Sequence, residues 1–223
     1  MKKMLKYAVG EILLVVVGIL IAVSLNNWNE NRKTENRYKT ILELVKTDFI
    51  QDTIVSHHII NYYEKQDSLT NILVSDSFNL DVLKENKGIS SIPFSNAPFK
   101  ITSTSIDLLR AERSDIKIAT DTVVQMLLNF YDRYDTNFED IDLKLREDVA
   151  TNTAHLKTFE NYSIERFLKT RKDEDFEYFL SRDFKNRVIM HRQLTINLHT
   201  ASLKNFNESV KRVIPYIDSR LEN

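Results

Sequence analysis

DTVVQMLLNFYDRYDTNFEDIDLKLREDV, residues 121–149, is the stretch that decides the fold. Leu127, Tyr131, Tyr134, Phe138, Ile141, Leu145 and Val149 recur every three or four positions, with charged residues between them. That spacing gathers the apolar side chains into one stripe of an α-helix. Thr120 or Asp121 supplies a side-chain oxygen for the first free amides. The pattern predicts a helix over 121–159, and such a helix has to bury its stripe against other elements.

The same period extends to both sides. Tyr38, Leu42, Val45 and Phe49, continued by Ile59, Tyr63 and Leu73, predict a helix over 27–74. Asp52 falls on that stripe and makes it imperfect. From Asp183 onward, Phe184, Val188, His191, Leu198, Phe206, Val210, Val213 and Ile217 predict a last long helix. Pro215 is expected to kink or break it, because proline removes one donor and crowds the preceding turn. Shorter helices are expected over 79–87, 105–113, 163–171 and 175–182. GISSIPFSNAPF, residues 88–99, reads as a loop from its Gly and Pro content. The expected class is all-α: an elongated antiparallel bundle with short accessory helices.

Composition agrees with this class. The 223 residues contain 3 Gly and 3 Pro, too few for the turns of sandwiches, barrels or dinucleotide-binding sheets. There is no cysteine, which excludes disulfides, thiolate metal sites and cysteine nucleophiles. Lys and Arg total 31 against 32 Asp and Glu, a formal net charge of −1, so no general attraction to nucleic acid is expected.

Ahead of the helical region lies MKKMLK and then Tyr7–Leu25, in which Glu11 is the one charge. At 1.5 Å per residue this stretch reaches about 28 Å, the thickness of a bilayer core. Tyr7 and Trp28 flank it as interfacial aromatic anchors. Ala22-Val23-Ser24 resembles a cleavage site, but a span-length segment with nothing small after Ser24 favours a retained anchor. The expected organisation is a short cytoplasmic N-terminus (1–6), a transmembrane helix (7–25) and a helical extramembrane domain (26–223). Lys2, Lys3 and Lys6 place the N-terminus inside by the positive-inside rule, with the domain outside the cytoplasm, although Arg32, Lys33, Arg37 and Lys39 weigh on the other side. On a 3.6-residue helix Glu11, Val15, Gly18, Ala22 and Leu25 share one face. Gly18 and Ala22 form a small-xxx-small pair that admits a second helix, and an intramembrane acid is costly against lipid. Glu11, Gly18 and Ala22 are therefore the candidate helix-packing residues, with headgroup contact as the plainer role of Glu11.

The stretch YAVGEILLVVVGILIAVSLNNWNENRK, residues 7–33, resembles the signature of a bacterial family of single-pass membrane proteins catalogued as a domain of unknown function. The matching features are Tyr7, Ala8, Gly10, Glu11, the central Gly18 and the Asn26–Glu30 exit. A weaker similarity runs through FKITSTSIDLLRAERSDI and TVVQMLLNFYDRYD. The resemblance implies a retained anchor in a bacterial plasma membrane and a helical domain. It implies no activity.

Chemistry-bearing motifs are sparse. His57, His58, His155, His191 and His199 make no HExxH and no Glu-x-x-His pattern. His191 and His199 lie about 80° apart on one helix and offer two ligands at most, so they read as structural. The acidic groups Glu139/Asp140/Asp142, Glu147/Asp148 and Asp173/Glu174/Asp175 read as solvated charges. No nucleophile elbow, phosphate loop or Gly-rich fingerprint is present. Arg182, Lys185, Arg187 and Arg192 form a modest basic patch diluted by acids. The expectation is a non-enzymatic, membrane-anchored interaction module without metal or cofactor. It would bind the bilayer and either a protein partner or itself. The alternatives are an accessory subunit of a membrane complex, or a tethered sensing domain that needs a signalling partner.

Overall fold

A computed structural model describes residues 2–112, 116–159 and 176–222. Among them every regular element is helical, and the all-α expectation holds. α1 (Lys2–Leu73) joins the apolar segment and the first domain helix in a single rod of 72 residues, about 108 Å at 1.5 Å per residue. With no Gly or Pro between Gly18 and Gly88, nothing in the chemistry of the chain interrupts it. The apolar segment and the helix read over 27–74 are thus one continuous helix.

α2 (Leu80–Glu85) starts at Asn79, whose side chain accepts from the Val82 N–H at 3.0 Å. The loop expected over 88–99 is corrected in its first half. Residues Lys87–Phe94 form a 3-10 helix with Pro93 in its last turn. The Ser90 and Ser91 hydroxyls donate to the carbonyls of Lys87 and Gly88 at 3.1 and 2.8 Å, and proline's fixed φ suits the tighter turn. A Cβ at Gly88 would stand 2.9 Å from Leu69 Cδ1, the tip of a flexible side chain on α1 that would have to turn aside.

α3 (Thr104–Ala111) and α4 (Ile116–Ala119) lead into α5 (Thr122–Leu156). Asp121 caps α5, accepting from the Val123 N–H at 2.8 Å, as its position predicts. The helix expected over 163–171 lies outside the described residues. α6 (Glu177–Leu180) ends at Ser181, which caps α7 (Arg182–Arg192) through the Phe184 N–H at 3.1 Å. A π-helical segment (Gln193–Thr200) then joins α7 to α8 (Ala201–Glu222). Of the kink or break expected at Pro215, the break is absent, because α8 runs through that position. Pro215 and Lys211, whose carbonyl loses its helical donor, both lie on the exposed side of α8, where the loss costs little.

Cross-links between elements define the topology. α8 runs antiparallel to α1, linked by Lys39 to the Leu221 carbonyl, Lys46 to Asp218, Ser56 to Asn207 and Lys204 to Glu64. The stretch 95–112 also returns along α1, through Thr102 on Asp52, Ser105 on Asp48 and Arg37 on Glu112. α5 then runs with α1 and against α7–α8. The bundle is thus up-down-up-down, with an irregular second leg. Its main core joins the α1 and α5 stripes to Phe99, Ile106, Leu203, Phe206, Val210 and Ile217. A smaller cluster at the end far from the apolar segment holds Leu73, Leu83, Ile92, Phe179, Phe184 and Val188.

Candidate membrane anchor and the polar interior of the domain

The apolar part of α1 makes no use of the bundle. Residues 10–33 are exposed, and none of the apolar window is buried. Leu14 is 74% exposed and Ile12 64%, whereas Leu42 and Val45 on the same helix are at 0%. One helix thus has a stretch long and apolar enough to cross a membrane, followed by a stretch built into a water-compatible core. Glu11, Gly18 and Ala22 stand on the uncovered part, with nothing within 4 Å of where a Cβ would sit on Gly18. The fold brings none of the three to another element. Tyr7 lies within the helical backbone of α1. Trp28 is exposed, with the Arg32 guanidinium 5.7 Å from its ring centroid, and Lys33 pairs with Glu30 at 3.0 Å.

Where α1 enters the bundle, a charged clamp fixes it. Arg220 donates to Asp121 at 2.8 Å and to Glu35 at 2.9 Å, and the Tyr38 hydroxyl donates to Asp121 at 3.1 Å. Burial opposes ionisation of Asp121, but hydrogen bonds from Arg220, the Val123 amide and Tyr38 outweigh it and hold the carboxyl below its ordinary range. Burial, reinforced by the Asp121 charge, pushes the Tyr38 phenol up.

The domain interior holds polar side chains that a helical period does not reveal. Asp52, the flaw in the α1 stripe, is 3% exposed and accepts from the Thr102 N–H at 2.9 Å and hydroxyl at 2.8 Å. Burial raises its carboxyl pKa despite these bonds. Asp52→Ala is expected to destabilise the domain by about 1–2 kcal/mol, because both Thr102 donors lose their acceptor. An unchanged urea midpoint would show that water replaces the carboxylate without loss.

Deeper toward the far end, His191 Nδ1 donates to Asp148 at 2.7 Å. Asn152 donates to Asp148 and to the Pro93 carbonyl, both at 3.1 Å, and accepts from Arg187 at 3.2 Å. This network ties α5, the 3-10 segment and α7 together. Asp148 is thereby corrected from a solvated charge to a half-buried partner, and the Asp142 side chain is likewise only 19% exposed. Glu139, Asp140 and Glu147 do face solvent, while Asp173, Glu174 and Asp175 lie outside the described residues. His199, in the π segment, packs against the Tyr63 and Phe138 rings at 5.5 and 6.2 Å. Burial brings it down to about 4, so it is neutral at physiological pH. The π turn itself is braced by the Thr200 hydroxyl, which reaches the Thr195 carbonyl five residues back at 2.8 Å.

The expected basic patch is largely occupied. Arg187 pairs with Asp183, Arg192 with Asp67, and the Lys185 ammonium lies 5.1 Å from the Phe78 ring. A polar groove of about 540 Å³ between α5 and α8 is lined by Arg133, Tyr134, Asp140 and Asn205. A smaller one, about 170 Å³, lies over Phe99 and Phe138 beside Lys100, Asp142 and Arg146. Among the described residues no three His, Cys, Asp or Glu side chains are grouped to hold a metal ion.

The model of DUF6090, a family of unknown function, matches residues 11–188. No curated protein and no solved structure matches the chain.

Proposed function

The chain belongs to DUF6090, a family of unknown function, and from that premise we propose that it is a membrane-anchored helical module that holds protein contacts at a bilayer surface. The observation that carries this reading is the division of α1: residues 10–25 wholly uncovered and apolar, residues 38–63 striped and buried on one side. An uncovered apolar rod of this length is unfavourable in water and stable in lipid. The proposed placement is a single pass in a bacterial plasma membrane, with Lys2, Lys3 and Lys6 on the cytoplasmic side and the bundle opposite. Within the bilayer, Glu11, Gly18 and Ala22 face another helix, with Trp28 at the interface.

Alkaline carbonate extraction of the full chain tests the anchor. The protein is expected to stay with the membrane pellet, and release into the supernatant would overturn the reading. A single cysteine at exposed Ser219, in a chain with no other, reports the side of the bundle through an impermeant thiol reagent. The helix contact is tested by co-purifying the tagged chain in mild detergent beside Glu11→Leu. An interhelical hydrogen bond contributes about 1 kcal/mol in a membrane, so the variant is expected to retain its partner roughly fivefold less tightly. Equal recovery would assign Glu11 to the headgroups instead.

A further inference from the structure

The uncovered character of α1 does not end at the membrane. Where the helix forms one wall of the bundle, its outer face carries Leu44, Ile50, Ile54, Val55 and Tyr62, each between 37% and 47% exposed. From Thr40 to Tyr62 the exposed positions include a single charge, Glu43. The exposed side of α5, a helix in the same solvent, carries Asp132, Arg133, Glu139, Lys144 and Glu147. A solvated helix face in a chain this rich in charge is expected to look like α5, not like α1.

We propose that the outer face of α1 is a dimer interface, and that its occupant is the same face of a second copy standing parallel in the same membrane. This rests on the anchored reading above. The first argument is geometric. At about 100° per residue, Ile54 and His58 fall within roughly 20° of Glu11, as do Gly18 and Ala22, while Tyr38 and Val45 of the core stripe fall about 160–180° away. The span face and the outer bundle face are therefore one line along an unbroken helix. A partner that follows this line has to be apolar in the bilayer, then helical and uncharged above it, and at matching heights. A second α1 meets all three conditions, because an identical span sets an identical height.

The second argument is chemical. In a parallel two-fold pair each residue near the axis meets its own copy. Leu44 and Ile54 then pack on themselves, and the Gln51 amide can both donate and accept across the axis. Glu43, Gln51, His58 and Asn61 interrupt a seam otherwise apolar and hydroxylic, and isolated polar groups of this kind fix register in paired helices. Lys33, beside the line, is already neutralised by Glu30. Glu43, about 40° from the line, is the one charge among the exposed positions of this face, so the face offers a charged partner little complementarity.

Size decides where the pair is stable. The strip from Thr40 to Tyr62 is about 35 Å by 10 Å, roughly 350 Å² per copy, well below the ~800 Å² per partner of a standard interface. Extending it to Gly18 gives about 68 Å and roughly 700 Å², so both parts of the line are needed.

The test is disulfide trapping of the full chain in membranes, which the absence of native cysteine makes clean. Ile54→Cys is expected to oxidise to a homodimer, identified by mass. Leu143→Cys, 52% exposed on α5, is expected to remain monomeric. Adding Thr47→Glu to Ile54→Cys puts a second acid beside Glu43, opposes like charges across the pair and is expected to lower the trapped fraction about tenfold. Equal trapping at Leu143→Cys, or a monomeric Ile54→Cys chain that carbonate leaves in the membrane, would overturn the dimer alone. A chain released by carbonate would overturn the anchor and the parallel pair together.

Discussion

Phe206→Ala is expected to cost the bundle about 3–5 kcal/mol. Phe206 is fully buried, with ring centroids of Phe99, Phe130, Tyr134 and Phe138 at 5.6, 5.9, 5.3 and 5.9 Å. Those four rings come from the returning leg and from α5, while Phe206 comes from α8, so the cluster joins three of the four legs. Removing the central ring opens a cavity whose lining is held in place from other directions. Phe99 rests on Phe138, Phe130 rests on Phe49 and on Tyr134, and the Tyr134 hydroxyl is tied to Ser209 at 2.8 Å. Partial collapse into the gap is blocked, which puts this site at the costly end of large-to-small substitutions. Domains of this size have about 5–15 kcal/mol in total, so the variant should unfold at much lower urea. Circular dichroism of the full chain in detergent reads the midpoint. Phe206→Leu keeps most of the volume and is expected to lose about 1 kcal/mol. A loss for Phe206→Ala no greater than that for the leucine variant would show that the rings do not close around position 206.

Stability is expected to fall by about 2.5 kcal/mol between pH 7.5 and 4.5 through His199 alone. In the unfolded chain this imidazole takes up its proton near 6.5, whereas burial holds the native group down to about 4. Between those values the unfolded state binds the proton and the native state does not. The stabilisation is therefore complete above 6.5 and is lost as pH falls through the window toward 4. Asp52 acts with the opposite sign. Its carboxyl is raised by burial, so the cost of keeping it ionised is relieved on acidification. Asp121 and Asp183, both held below the ordinary carboxylate range, lose their contributions only at lower pH still. His199→Leu isolates the histidine: the difference between urea midpoints at pH 7.5 and 4.5 is expected to shrink by most of the 2.5 kcal/mol. An unchanged difference would mean that the ring is hydrated and titrates normally in the native bundle.

The regular parts of this fold were legible because they follow from periodicity. The stripe from Leu127 to Leu145 is buried as its spacing requires, and Asp121 caps the helix it precedes. What escaped the reading depended on partners remote in sequence. Asp52 looks like a defect until Thr102 arrives 50 residues later, and Ser56 finds its buried partner Asn207 at 151 residues' separation. Asp148 has the same neighbours in sequence as any solvated acid, and it is His191, 43 residues later, that draws it toward the interior. Pro215 misled for a different reason. Its local rule is sound, but Pro215 and the residue whose carbonyl it deprives, Lys211, lie on the exposed side of α8, where the loss costs little. The π segment has no marker in composition, since Thr195 and Thr200 read as ordinary helix residues until five-residue bonding brings them together. The candidate span was evident from hydropathy. The outer seam of α1 was not, because Leu44, Ile54 and Tyr62 become notable only once the opposite face is known to hold the core.

The charged clamp where α1 enters the bundle also sets an order of assembly. Glu35 meets Arg220 across 185 residues of chain, and Lys39 meets the Leu221 carbonyl across 182. Contacts this remote close late, since the intervening chain has to be in place before they return any stabilisation. As α1 emerges during synthesis, its stripe from Tyr38 to Tyr63 has no α8 to cover it. If the bundle lies across the membrane, the chain must be handed over as an open helix and completed on the far side. The nascent protein therefore presents a long apolar stripe to whatever escorts it, for as long as it takes to make and move nearly the whole domain.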